Sequence, residues 1–265
     1  MKRVPVTTRK ATASVATLLE GLELRQPKVV TNDLLADVIA ETGSHLNSQA
    51  AAERLVREGW LFPLRTRGAW EFVPASRAGR YPSGDTWIEL RALLSRHPTA
   101  PVAVAFASAV WEQGYSSHQP SRSTLAHRPG WRAPRALGDM QMVSYDWRLP
   151  TLEKDGLAIW QPATVVVAAA NRPDAQDDWG NADEWLLETF HATTPTDIVT
   201  EARDRSNPTL ARLCYLAEWS GRIDIVEALM PLLPKHLTVT YFGPRKRQGR
   251  WIKRWKLYDS LLRSR

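Results

Sequence analysis

The chain has 265 residues, 43% of them hydrophobic and 24% charged, which excludes a disordered chain and leaves room for one large or two ordinary domains with a sizeable core. Its single cysteine, Cys214, excludes an internal disulfide and a cysteine-based zinc site. The net charge of +7 is uneven: residues 1–80 hold 12 Lys/Arg against 8 Asp/Glu, residues 81–242 hold 14 against 19, and residues 243–265 hold 9 against 1.

Positive charge thus sits at both ends of an acidic middle, the footprint expected for a polyanion partner. No apolar run approaches the roughly 18 residues needed to span a bilayer, and no signal-peptide core follows the basic N-terminus. A cytoplasmic protein with no membrane partner is expected.

In chain order, residues 1–14 read as a basic arm carrying Lys2, Arg3, Arg9 and Lys10. A first helix is predicted over 14–22, with Val15, Leu18, Leu19 and Leu22 on one face. A second covers 31–42, with Leu34, Leu35, Val38 and Ile39 as its apolar stripe. Thr31 or Asn32 caps it, Asp33 suits the positive end of the helix dipole, and Gly43 suits a left-handed turn. A third helix starts at Asn47 or Ser48 and stops at Gly59. At about 100° per residue, Ala51, Ala52, Leu55 and Gly59 share one side, and Gln49, Ala50, Glu53, Arg54 and Arg57 the other. Glutamine pairs with adenine edges, and arginine with guanine edges or phosphate. Glu53 repels phosphate but can accept from a cytosine amine. Such a face also fits an ordinary solvated helix.

The next stretch favours the first reading. Trp60, Leu61, Phe62 and Leu64 lead to a tip, Arg65-Thr66-Arg67-Gly68, and Ala69, Trp70, Phe72 and Val73 return from it. Gly68 permits a tight hairpin, and two arginines at its tip are placed for phosphates or the minor groove. Helix, glycine turn, helix and ribbon follow the order of a winged helix-turn-helix, expected over residues 1–80. A plain hairpin closing a small helical domain is the alternative.

Residues 76–85, rich in Ser, Gly, Arg and Pro, read as a linker. The larger domain, 81–265, is expected to be mixed α/β. A helix over 85–96 carries Trp87, Leu90, Leu93 and Leu94 at helical spacing and ends at His97-Pro98. Strands are expected near 101–108, 123–129 and 140–147, with a short helix stopped by Gly114. Residues 156–176 are ambiguous: Val165, Val166 and Val167 favour a strand, whereas Pro162 followed by Ala168, Ala169 and Ala170 favours a helix. Four helices follow, over 182–191, 196–205, 208–220 and 223–233, and then a strand over 237–242.

No catalytic set is specific. The six histidines are scattered, and no phosphate-cradling loop or nucleophile elbow occurs. Neither a cofactor nor a metal is expected, and a non-enzyme is favoured. The alternative is a nucleic-acid-processing enzyme, a nuclease with its active site in the second domain at Asp174, Asp177 and Asp178. Ser117, His118 and His127 could belong to a hydrolytic site, but loop residues of this kind are far more often surface groups. The closing stretch forms a second candidate surface for nucleic acid or a partner, with Arg245, Arg247, Arg250, Lys253 and Arg254 interleaved with Trp251 and Trp255. As a continuous strand it would place Trp251, Lys253, Trp255 and Leu257 on one face.

Segments LVREGWLFPLRTRGAWEFVPA (55–75), VAFASAVWEQGY (104–115), LARLCYLAEWSG (210–221) and the closing GPRKRQGRWIKRWKLYDSLL, in this order, resemble the AbiEi-type antitoxins of type IV toxin–antitoxin (abortive infection) systems. The resemblance implies a two-domain α/β protein, a winged-helix DNA-binding domain followed by an α/β antitoxin domain. It implies repression of the protein's own operon through inverted repeats in double-stranded DNA, with two copies on a palindrome. It further implies a cognate nucleotidyltransferase toxin, countered directly or indirectly. Carried onto this sequence, the DNA contacts fall on Ser48, Gln49, Arg54, Arg57, Arg65 and Arg67.

Overall fold

A computed structural model describes residues 13–77, 83–244 and 249–262. The basic arm, the middle of the linker, Arg245 and Arg247 lie outside the described residues. The fold is mixed α/β in two compact units. The first runs to Ala100 and takes in Pro134–Asp139; the second comprises Pro101–Ala133 and Met140–Arg265.

The first unit follows the order α1 (Ala13–Arg25), β1 (Val29–Thr31), α2 (Asn32–Thr42), α3 (Ser48–Glu58), β2 (Leu61–Pro63), β3 (Ala69–Phe72) and α4 (Ile88–Arg96). Its sheet has the order β1-β3-β2, antiparallel throughout, with Val30 opposite Trp70 and Leu61 opposite Phe72. This is the connectivity of a winged helix. The stripes of the three leading helices meet in one core of Val15, Leu18, Leu22, Leu35, Val38, Ala51, Ala52 and Leu55. Thr31 caps α2 through its hydroxyl, which accepts from the Leu34 amide at 3.2 Å. Gly43 ends α2 and Gly59 ends α3, both left-handed, at φ 64° and 81°.

Two features of this unit differ from the sequence expectation. Strand β1 lies between the first two helices, where no element is expected from the sequence, and ends on the helix cap Thr31. Three residues are too short to show a period of two, and β1 exists because β3 pairs with it. The compact unit also runs past the composition break near residue 80, because α4 packs on β1 and β3.

The second unit contains a five-stranded sheet in the order β6-β5-β4-β8-β7. Its strands are β4 (Val102–Val104), β5 (Thr124–His127), β6 (Gln141–Ser144), β7 (Leu152–Lys154) and β8 (Leu157–Ile159). The β7–β8 hairpin turns on Asp155-Gly156, both with positive φ, at 52° and 72°. The helices are α5 (Phe106–Glu112), α6 (Pro162–Asn171), α7 (Ala182–His191), α8 (Pro195–Ala202), α9 (Asn207–Trp219) and α10 (Ile223–Leu229). Residues 156–176 thus split: Leu157–Ile159 is strand, and the valine run is helix because Pro162 opens the first turn. Every residue of α6 from Ala163 to Ala170 is buried, and α5, α7, α8 and α9 pack around it. Such an apolar helix belongs at the centre of a domain.

Glu201, fully buried, ties α8 to the loop after β6. Its Oε2 accepts from the Arg148 and Leu149 amides at 2.8 and 3.1 Å and from the Thr164 hydroxyl at 3.3 Å, while Oε1 pairs with Arg205 at 2.7 Å. A second sheet closes the chain, with β9 (Thr240–Phe242), β10 (Arg250–Ile252) and β11 (Leu257–Asp259) in the order β10-β11-β9.

Candidate nucleic-acid interface

Helix α3 turns its alanines inward, with Ala51 and Ala52 fully buried, so it lies close on the helices beneath. Asn47 caps it, its side-chain oxygen accepting from the Ala50 amide at 2.8 Å. Gln49, Glu53 and Arg57 are exposed and lie four residues apart, in one outward stripe. Gln49 donates to Glu53 at 2.8 Å. Arg54 is half-buried beside the stripe and pairs with Glu58 at 3.3 Å. Ser48 is half-buried at the first turn. The stripe therefore presents an amide, a carboxylate and a guanidinium, with a second guanidinium at its edge. The acids Glu53 and Glu58 pre-orient Gln49 and Arg54.

The ribbon tip is held from behind. The Glu89 carboxylate of α4 accepts from the backbone amides of Arg65 and Thr66 at 2.7 and 3.1 Å and from the Thr66 hydroxyl at 3.0 Å. Arg96 donates to the Arg67 carbonyl. Gly68 sits at φ +69°, and a Cβ there would come within 3.0 Å of the Asn32 amide nitrogen. The Arg65 guanidinium pairs with Asp139 at 2.6 Å, both side chains being well exposed, so this bond is weak and exchangeable. Arg67 is exposed and has no acidic partner among the described residues. The sequence reading missed Glu89, Arg96 and Asp139, whose separation from the tip gives no local signal.

The closing stretch is arranged differently from the continuous strand expected. Strand β10 stops at Ile252, a turn occupies residues 253–256, and β11 returns antiparallel, with Trp251 opposite Tyr258. The turn breaks the alternation, so Trp251 and Trp255 do not share a face. Trp251 is 42% exposed, whereas Trp255 is 2% exposed and donates from Nε1 to Glu218 at 2.6 Å. Arg254 pairs with Glu218 and lies over the Trp255 ring. Arg254 and Trp255 thus anchor the hairpin to α9. Arg250 donates to the Tyr215 hydroxyl at 2.7 Å, and that hydroxyl donates to the buried Asp259 at 2.7 Å. Burial and the bond to Asp259 hold the Tyr215 phenol above its ordinary range. Trp251 and Lys253 are left on the exposed surface, and Lys256 joins them.

The carboxylates considered for catalysis have separate duties. Asp174 bonds Arg172 at 3.1 Å, which holds its carboxyl below the usual range. Asp177 accepts from Ser121 at 3.4 Å, and Asp178 accepts from Asn181 at 2.5 Å. Ser117 donates its amide to Glu184 at 2.8 Å, and the His127 ring meets the Arg128 carbonyl at 3.0 Å. Asp177, Asp178, His118 and Ser121 line a cavity of about 410 Å³. Among the described residues, no group of three or more His, Cys, Asp or Glu is placed to hold a metal ion. Among the described residues, no helix is long and apolar enough to cross a membrane.

Residues 102–219 match the family described as the AbiEi antitoxin C-terminal domain. No curated protein matches the chain. Among solved structures, the RV2827C protein from Mycobacterium tuberculosis is similar in fold, with a TM-score of 0.79 and 24% identity over 97% of this chain and 95% of that one.

Proposed function

We propose that this chain, an AbiEi-type antitoxin by its residues 102–219, binds double-stranded DNA through its first unit and represses its own operon. In this reading α3 enters the major groove, with Gln49, Arg54 and Arg57 toward base edges and Ser48 toward a phosphate. The tip, with Arg65 and Arg67, lies on the neighbouring backbone or minor groove. Two copies occupy an inverted repeat. The second unit counters a cognate nucleotidyltransferase toxin, directly or indirectly. The observation that carries the DNA-binding part is the joint placement of an exposed Gln49–Arg57 stripe and a tip fixed on α4. The family match supports the antitoxin role, which needs no catalysis by this chain.

The test is a titration of the protein's own promoter duplex over a range of salt. Arg54→Ala or Arg57→Ala should weaken binding by about 1–3 kcal/mol if the residue reads a base. Arg65→Ala with Arg67→Ala should weaken binding to every duplex and lower the salt slope by about 0.9 per lost phosphate contact. A double tip variant that binds as the parent does would remove the wing from the interface. Cleavage of labelled DNA or RNA with Mg²⁺, abolished by Asp177→Asn, would replace this reading with the nuclease.

A further inference from the structure

The sheet β10-β11-β9 buries one face. Thr240, Phe242, Leu257 and Asp259 point inward and are 3% exposed or less. The intervening residues point outward, and register aligns them: Trp251 faces Tyr258 across one strand pair, and Tyr258 faces Tyr241 across the next. Directly opposite residues share a face, so three aromatic side chains form one row across the sheet. Their rings are in contact, Trp251 to Tyr258 at 4.7 Å and Tyr258 to Tyr241 at 5.7 Å, the latter pair nearly parallel at 15°. Outer faces of antiparallel strands are ordinarily polar, and this row is not needed for the core, which lies on the other side.

Charge at the turn joining β10 to β11 is positive, while Tyr241, at the far end of the row, lines a cleft with Arg212 and with Asp174, the latter paired with Arg172. Lys253 and Lys256 stand exposed at the turn joining two of the strands, and among the described residues no acid pairs with either. The last 23 residues hold nine cations and one acid, and that acid, Asp259, is buried against Tyr215. Gly249 brings β10 close to β11, since a Cβ there would meet the Asp259 carbonyl at 2.4 Å.

We propose that this row is a stacking surface for the unpaired bases of a single-stranded nucleic acid, with Lys253 and Lys256 on its phosphates. Every base has a π-face, so an aromatic row with flanking cations binds single strands with little sequence preference. A duplex hides those faces in its own stack. The surface is therefore separate in residues and in ligand from the α3 stripe, and it does not depend on promoter binding.

The test uses the full chain and the anisotropy of a labelled oligothymidylate or oligouridylate of about 12 nucleotides, within the usual site size, beside a duplex of the same length. The parent should bind the single strand, more weakly as salt rises. Trp251→Ala should lower single-strand affinity about tenfold, from the lost stacking of one base, and leave promoter binding unchanged. Trp251→Phe should restore most of the loss, with equal melting temperatures for both variants. Lys253→Ala with Lys256→Ala should flatten the salt dependence by about 0.7 per lost phosphate contact. Arg54→Ala with Arg57→Ala should not alter single-strand binding, so the two readings fail separately. No binding by the parent, or equal binding by Trp251→Ala, would overturn the proposal. So would displacement of the oligonucleotide by polyglutamate at equal charge concentration, which would mark an acidic-protein surface.

Discussion

Replacing Glu89 with alanine separates two accounts of the ribbon tip that predict opposite signs. Electrostatics alone says that removing an acid behind a DNA-facing loop helps binding. The gain is under about 1 kcal/mol for one partly solvated charge, less after screening. The geometry says otherwise. Glu89 holds the amides of Arg65 and Thr66 and the Thr66 hydroxyl, three bonds between 2.7 and 3.1 Å to one carboxylate. Without them, Arg65 and Thr66 regain backbone freedom that DNA binding must remove again, at about 1 kcal/mol or more per residue. Arg96 still holds the Arg67 carbonyl, so the loss is confined to those two residues. The net expectation is a five- to tenfold weaker complex, about 1 kcal/mol. The salt slope should be unchanged, since both tip arginines remain. Anisotropy titrations of the promoter duplex at several salt concentrations give affinity and slope together, and hydrogen exchange at residues 64–68 reports the order of the tip. Glu89→Ala binding as tightly as the parent or tighter, with faster exchange at the tip, would refute the view that a fixed tip assists binding.

Other variants test the frame that carries these surfaces. Glu201→Ala leaves two backbone amides without their acceptor and Arg205 without its carboxylate, though Arg205 keeps the carbonyls of residues 146 and 201, and should cost about 3 kcal/mol, read from denaturant midpoints. Gly68→Ala places a side chain in the left-handed region beside Asn32 and should destabilise the first unit by about 1–2 kcal/mol, seen as a lower melting temperature. Burial pushes the Cys214 thiol up to about 12, so iodoacetamide should leave it unmodified at pH 8.5 and react at once in denaturant. Asp174 and Asp224 are lowered below their ordinary value of 3.8 by hydrogen bonds from Arg172 and Arg222. Their contribution is present above that pH and is lost as pH falls through the lower folded value. Asp224→Asn should therefore lower stability by a constant amount between pH 6 and 8 and flatten the acid limb of the profile below about pH 4.

The first unit was legible because its helices are amphipathic and locally punctuated. Leu34, Leu35, Val38 and Ile39 repeat at helical spacing, and Thr31, Gly43, Asn47 and Gly59 cap where such residues lower the free energy of helix ends. The sequence also carries a local signal for one hairpin of the second unit. Asp155-Gly156, between short apolar runs, is the dipeptide of a tight hairpin, and it joins β7 to β8. The valines of α6 misdirect for a physical reason: β-branched residues prefer strands by propensity, but burial on all sides and a proline at the first turn override a weak preference.

The closing stretch shows a deeper limit. Alternation assigns faces only while a strand continues, and the side-chain period of two makes any interruption exchange them. Four residues of turn after Ile252 send Trp255 inward to Glu218 and leave Trp251 outward beside Tyr258. Nothing in the order of Arg, Trp and Lys marks that turn, which is set by α9 holding Arg254 and Trp255 through one carboxylate. Composition therefore located the basic, aromatic surface, but only the tertiary bond to Glu218 decides which tryptophan belongs to it. Glu218→Ala should accordingly disturb the row without touching it. The hairpin would lose its anchor, and single-strand affinity should fall with Trp251 intact, an outcome that a purely electrostatic surface, made more basic by the same change, would reverse.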